Sequence, residues 1–205
     1  MTTKNSDCLI IFTRNPELGK GKRRLAATVG DQAALEIYSF LLAHTRNITK
    51  DLPVTKQVWY SEQVHQNDAW DNTLYHKFAQ EGGDLGVRMK IAFLDAFKTH
   101  DHVIIIGSDM YDMSQADLEK AFQQLETHDA VIGPAIDGGY YLLGFTKKLV
   151  AGVFENKEWG TETVLEKTLQ DLKNVNYATL DARNDVDFYE DIKEIPVFQP
   201  FLKHI

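Results

Sequence analysis

The sequence predicts an α/β fold: a mostly parallel, Rossmann-like sheet with one antiparallel strand. Three observations lead there. Strand-like apolar runs alternate with helix-period segments along the chain, the pattern of βαβ units. CLIIFT at 8–13 and HVIIIG at 102–107 are continuously apolar, as strands buried on both faces must be. AVIGPA at 130–135 and YYLLGF at 140–145 are joined by IDGG, whose Asp-Gly-Gly turn folds one strand back on the other.

Cys8–Thr13 is the first strand, and a basic, glycine-containing loop follows it. Asp31–Lys50 carries Ala34, Ile37, Leu41 and Ile48 at helical spacing, with Asp31 placed to cap it. Val54–Tyr60 reads as the second strand, and Leu74–Phe78 offers a short third within the polar stretch 61–83. Asp84–Phe97 is a helix whose stripe is Leu85, Met89, Ala92, Phe93, Ala96 and Phe97. His102–Gly107 is the strongest strand signal. Ser114–Glu126 is a helix capped by Ser114, with Leu118, Phe122 and Leu125 facing inward. After the hairpin come a helix over Thr161–Leu172 capped by Thr161, a strand at Asn176–Leu180, and a last helix over Asp187–Ile195 stopped by Pro196.

The 205 residues fit one domain spanning 1–205, with 43% apolar and 25% charged side chains. A net charge of −8 argues against nucleic acid or an anionic membrane surface as partner. Residues 1–25 run against this trend, with Lys4, Arg14, Lys20, Lys22, Arg23 and Arg24 set against Asp7 and Glu17. A basic cluster on an acidic protein is where a small anion is sought. The single cysteine, Cys8, lies in an apolar run and reads as a core residue; one thiol allows no disulfide within the chain, which fits a reducing cytoplasm. No stretch reads as a signal peptide or reaches the roughly 18 apolar residues that span a bilayer. The expectation is a cytoplasmic protein without membrane insertion. The histidines show no metal-ligand spacing.

Ligands of open parallel sheets sit at the carboxyl ends of the strands, which selects residues 14–24, 107–112 and 135–140. In RNPELGKGKRRL at 14–25, Gly19 and Gly21 let the backbone approach a ligand, and the cations suit a di- or triphosphate. The glycine spacing is neither a P-loop nor a dinucleotide fingerprint. In GSDM at 107–110, Ser108 and Asp109 leave the apolar strand at its end; Asp109 is a ligand for Mg²⁺ or Mn²⁺ or a helix cap, and Asp112 a turn residue. Asp137, at the tip of the glycine turn, is placed for acceptor hydroxyls or general-base work, and of Tyr140 and Tyr141 one ring faces the core and one the pocket. In NDVDFYED at 184–191, Asp185 and Asp187 suit either metal coordination or the opening of the last helix. In WGTETV at 159–164, Trp159 is placed to stack on a base or sugar beside Thr161.

Taken together, these motifs resemble a family of bacterial glycosyltransferase-like proteins with the GT-A, nucleotide-diphospho-sugar transferase fold. Some of its members are labelled arsenosugar-biosynthesis glycosyltransferases. The matching segments are FTRNPELGKGKRRL, GDLGVRM, GSDM, GPAIDGGYYLLG, WGTETV and DVDFYED, in order over residues 8 to 191. Two positions depart: Arg23 stands where the family has Thr, and Phe188-Tyr189 where it has Thr-Pro, both aspartates being kept. The wider class, which includes molybdopterin and phospholactate nucleotidylyltransferases, is similar in the basic loop and the metal positions.

The resemblance implies a three-layer Rossmann-like GT-A fold and a nucleotide-using transferase needing Mg²⁺ or Mn²⁺. It implies metal binding at Asp109 and Asp187, and a phosphate grip by Arg14, Gly19, Lys22, Arg24 and Ser108. Asp109 and Asp137 are the expected catalytic carboxylates, and Gly138, Gly139, Tyr140, Trp159 and Thr161 the expected acceptor or sugar contacts. The reaction expected is glycosyl transfer from a nucleotide sugar to a small acceptor; the alternative is nucleotidylyl transfer from a nucleoside triphosphate to a phosphorylated acceptor, releasing pyrophosphate.

Overall fold

Alternation along the first strand sets the layering. In the computed structural model, which describes residues 6–204 and so leaves Lys4 outside, β1 (Asp7–Thr13) sends Leu9 and Ile11 to one face and Cys8 and Ile10 to the other, all fully buried. A strand apolar at every position needs cover on both sides. Helices supply it.

The chain continues through α1 (Arg23–Val29), α2 (Asp31–Thr49), β2 (Thr55–Tyr60), β3 (Tyr75–Ala79), α3 (Leu85–Ala96), β4 (His102–Ile106), α4 (Gln115–Leu125), β5 (Ala130–Pro134), β6 (Tyr140–Thr146), α5 (Val164–Leu172) and β7 (Tyr177–Thr179). The strands form one seven-stranded sheet in the order β3-β2-β1-β4-β6-β5-β7. β6 runs antiparallel to β4 and β5, and every other neighbouring pair is parallel. Tyr38 and Leu42 of α2 with Leu118 and Phe122 of α4 close one face over Leu9, Ile11, Ile104 and Leu142. Met89 and Phe93 of α3 with Leu172 of α5 close the other over Ile10, Val103, Leu143 and Phe145. A third cluster, Leu25, Ile37, Leu41, Val186, Ile192 and Phe198, fastens the C-terminal segment to α1 and α2.

Cys8 is a core residue, its thiol pushed up to about 12 by burial and then by Asp95. Among the described residues no helix is long and apolar enough to cross a membrane.

Four local expectations are corrected. The basic stretch is not loop throughout: α1 begins at Arg23, without a side-chain cap. Asp31 is the first residue of α2 and not its cap, a place held by Gly30 at φ 83°. Thr161 does not cap α5, which starts at Val164; its hydroxyl instead donates to the Glu158 carbonyl at 2.8 Å. The segment read as a last helix holds only a 3₁₀ turn at Tyr189–Asp191, and Pro196 opens a second one, Pro196–Leu202. Proline lacks only an N–H that a first turn leaves unused.

The hairpin between β5 and β6 turns on Gly138, at φ 88°, where a Cβ would run into the Glu162 backbone. Its carbonyl accepts the Leu165 N–H at 2.8 Å, tying the hairpin to α5. Gly138→Ala is therefore expected to cost about 2–4 kcal/mol in denaturant unfolding. Gly83→Ala, which meets no atom within 4 Å, is expected to stay within about 0.5 kcal/mol. Equal effects would contradict the assignment.

Candidate functional site

The carboxyl ends of β1, β4 and β6's hairpin open into a cleft of about 780 Å³. That volume suits a nucleotide-sized ligand. Its walls differ in chemistry. The stretch 14–24 contributes Arg14, Lys20, Lys22, Arg23 and Arg24, residues 135–164 contribute Asp137, Tyr140, Trp159, Thr161 and Val164, α3 contributes Arg88, and Asp109, Asp185 and Asp187 complete the lining.

Tyr38 fixes the rim. Its phenol oxygen accepts the Arg14 N–H at 2.9 Å and lies 3.1 Å from the Arg14 carbonyl, 3.3 Å from Thr13 Oγ1 and 3.2 Å from Ser108 Oγ. One side chain from α2 thus joins the ends of β1 and β4. Ser108, expected at phosphate, is buried in this network, its hydroxyl also donating to Thr13 Oγ1 at 3.3 Å.

The expected phosphate grip and metal ligands meet at Lys22. Its ammonium lies 3.1 Å from Asp109 Oδ2 and 3.5 Å from Asp187 Oδ1, and its side chain is 7% exposed. Burial alone would lower its pKa; the Asp109 and Asp187 carboxylates outweigh that and raise it above the ordinary lysine value. Lys22 is left-handed, φ 47° and ψ 47°, uncommon for a residue with a Cβ. Its neighbours turn outward. Arg23 donates to the Gly19 carbonyl at 2.9 Å and lies 3.5 Å from Asp31, so the arginine that replaces the family's Thr points away from the carboxylates. Gly19 holds φ 75° in the turn that makes this possible.

Arg24 donates to Asp187 Oδ2 at 2.9 Å, and its guanidinium lies 5.4 Å from the centre of the Phe188 ring. The aromatic residue at this departure from the family pattern thus lies against the cation that grips Asp187. Asp187 is held from behind as well. Asp191 accepts the N–H groups of Asp187 at 2.9 Å and Phe188 at 2.6 Å, and Phe188, not Asp187, holds the cap position of the 3₁₀ turn. The whole segment is registered on the rim by bridges from Arg183 to Ala135 and from Asp185 to Met110, and by the Val186 N–H on the Asp109 carbonyl at 3.2 Å.

Asp137 sits exposed at the hairpin tip, its Oδ1 fixed by the Gly139 N–H at 2.9 Å. Tyr140 packs on α3, its phenol donating to the Met89 sulfur at 3.7 Å and raised in pKa by burial; Tyr141 takes the other face and donates to the Asp181 carbonyl at 3.1 Å. Trp159 crosses α3 at Gly86, where a Cβ would overlap its ring.

Three contributors escaped the sequence reading. Arg183 reaches the Asp112 carbonyl at 2.5 Å and Asp117 Oδ1 at 2.7 Å, clamping the segment that carries Asp185. Arg88 lines the cleft while donating to the Gly82 carbonyl at 3.2 Å and the Ser61 carbonyl at 3.3 Å. Tyr38 carried no motif of its own within the 31–50 helix; only tertiary structure exposes its role.

Among the described residues no group of three or more His, Cys, Asp or Glu has metal-binding geometry. Asp109 and Asp187 make a pair, and Mg²⁺ sites of the phosphate-handling kind use one or two carboxylates and complete the shell with phosphate and water. The donor set fits.

The family model described as "Uncharacterized protein conserved in bacteria (DUF2064)" matches residues 44–161. No curated protein matches the chain. A solved protein from Desulfovibrio desulfuricans G20, a candidate nucleotide-diphospho-sugar transferase, is similar at 30% identity and a TM-score of 0.86, over 98% of this chain and 95% of its own. 4-Diphosphocytidyl-2C-methyl-D-erythritol synthase from Anaerococcus prevotii DSM 20548 is similar at 10% identity and a TM-score of 0.61, over 96% and 97%. CMP:2-keto-3-deoxy-manno-octonic acid synthetase, solved with CTP, is similar at 12% identity and a TM-score of 0.56, over 98% and 100%. The last two are likenesses of fold alone. The three-layer nucleotide-diphospho-sugar transferase architecture is thus that of this chain.

Asp185 is raised to about 6 by burial, then by Asp109 and Asp137. A carboxyl raised above its unfolded value of 3.8 stabilises the fold below that value and loses the contribution as pH rises through about 6. Asp185→Asn, compared with the native chain in chelator, is expected to be about 1–2 kcal/mol more stable at pH 7.5, with the difference vanishing near pH 4. A difference independent of pH would contradict this.

Proposed function

The chain belongs to the DUF2064 family, and from that premise we propose that this nucleotide-using transferase moves a sugar from a nucleotide-diphosphate donor to a neutral acceptor hydroxyl. The observation that carries this reading is the difference between the cleft walls. Every Lys and Arg lining the cleft comes from residues 14–24 or is Arg88, whose guanidinium is engaged by the Gly82 and Ser61 carbonyls, while residues 135–164 contribute Asp137, Tyr140, Trp159 and Thr161 and no cation. A phosphorylated acceptor calls for cations beyond those that hold the nucleotide. A sugar or polyol hydroxyl needs carboxylate, hydroxyl and ring surface, which is what the second wall offers. The 30% identity to a candidate nucleotide-diphospho-sugar transferase supports the same reading.

The roles follow from position. Arg14, Lys22 and Arg24 face the diphosphate, arginine offering paired donors to phosphate oxygens. Asp109 and Asp187 would hold Mg²⁺ or Mn²⁺, which when bound supplies positive charge to the leaving diphosphate. Tyr38 keeps the two strand ends in register so that this field is fixed before reaction. In the transfer, the bond from the anomeric carbon to the diphosphate oxygen breaks and the acceptor oxygen bonds to that carbon. Asp137 takes the acceptor's proton, and nucleoside diphosphate departs. Trp159 and Tyr140 supply ring surface to the sugar or the acceptor. The site is a proposal for a protein in the cytoplasm, in keeping with its single thiol.

Nucleotide sugars offered with Mg²⁺ or Mn²⁺ and a panel of polyol and sugar acceptors are expected to release nucleoside diphosphate. Asp109→Ala should lower kcat by about 10²-fold or more without altering circular dichroism. Release of pyrophosphate from nucleoside triphosphates with phosphorylated acceptors, and no diphosphate from nucleotide sugars, would overturn the proposal in favour of nucleotidylyl transfer.

A further inference from the structure

Lys22 has three features that an ordinary phosphate-binding lysine does not need. It is buried while Arg23 and Arg24, its neighbours in the same stretch, are 70% and 58% exposed at the side chain. It bridges two carboxylates 78 residues apart in sequence, at 3.1 and 3.5 Å. And its backbone sits in the left-handed region, which is unfavourable for a residue with a Cβ. The ammonium therefore stands between Asp109 and Asp187, in the place where a cation shared by both would sit. The carboxylates themselves stay open to the cleft, at 39% and 29% side-chain exposure, so a cation arriving from the cleft meets them directly.

Two cations cannot share that position. Charge repulsion at such range is severe in a partly dry site. Removing Lys22 without replacement leaves Asp109, Asp185 and Asp187 facing one another, an arrangement that is costly in a buried setting. Something must take the ammonium when a metal takes the carboxylates, and the phosphates of a ligand beside Arg14 and Arg24 are placed to do so.

We infer that Lys22 is a resident counter-cation of the Asp109–Asp187 pair, which excludes a divalent cation until a phosphate-bearing ligand draws the lysine away. Metal and nucleotide then bind in positive linkage, each raising the affinity for the other. The consequence is economy of binding order: free cytosolic metal does not fill the site, and metal enters with its phosphate partner. This inference rests on the assignment of Asp109 and Asp187 as metal ligands, and the test separates the two.

The probe is Mn²⁺ alone, with no nucleotide, followed by the loss of the free-ion electron paramagnetic resonance signal. Lys22→Met is expected to bind Mn²⁺ at least ten-fold more tightly than the native chain, and Asp109→Asn added to it should abolish the gain. Lys22→Gln, neutral and able to hydrogen-bond both carboxylates, serves as the second variant if Lys22→Met does not fold, with the same expected direction. Measurable and equal affinity in native and variant chains would overturn the inference and leave the metal assignment standing. No Mn²⁺ binding by either chain would overturn both.

Discussion

The structure depends on one electrostatic constraint: two carboxylates from distant parts of the chain meet at the end of a buried sheet, and a lysine ammonium is held between them. Asp109 arrives at the end of β4, Asp187 on the C-terminal segment, and Lys22 at the mouth of α1. Like charges do not assemble in a partly dry cleft without a counter-charge. The Lys22 contacts join the C-terminal segment to the rim, the Arg183 and Asp191 hydrogen bonds hold it there, and the apolar cluster around Leu25 and Phe198 fastens it to α1 and α2. The Val186 N–H on the Asp109 carbonyl completes the attachment from the backbone. A net charge of −8 makes this cluster of cations on one rim all the more local in effect.

The same constraint explains the cleft's two chemistries. The basic stretch follows β1 directly, and β1 lies between β2 and β4 in the sheet, so its cations arrive at the sheet's carboxyl edge. The hairpin of β5 and β6 lies on the far side of β4 from β1 and carries a carboxylate and rings instead. Tyr38 locks the boundary between these halves through hydrogen bonds each worth about 1 kcal/mol. Charge and ring surface are separated because they are carried on strands that flank β4 on its two sides.

Elements with a strong local cause were legible in the sequence. The runs at 8–13 and 102–107 could satisfy their apolar side chains only as strands covered on both faces, and Asp-Gly-Gly demanded a reversal that made β6 antiparallel. Ser114 caps its helix as expected, accepting from the Asp117 N–H group. The failures have a common physical origin in long-range contacts. α1 begins at a left-handed lysine with no cap signal, since Asp109 and Asp187 hold that lysine from afar. Leu85 was assigned to the buried stripe of α3, yet it is 43% exposed where the helix meets the cleft. The bonds of the Ser108 hydroxyl to Tyr38 and Thr13 were likewise not readable from GSDM, because both partners come from distant segments. Residues 14, 22, 24, 109 and 137 were placed on the same rim by strand-end logic, Asp187 was added only by the family resemblance, and the pairing among them was not readable until the C-terminal segment was seen to return.

The most direct measurement is a crystal structure with Mn²⁺ and the nucleoside diphosphate that stabilises the chain most in thermal unfolding. The account predicts an anomalous peak within about 2.5 Å of both Asp109 and Asp187, with phosphate oxygens completing the shell and the Lys22 ammonium turned onto phosphate. A peak elsewhere, or Lys22 still seated between the two carboxylates beside a bound diphosphate, would contradict it.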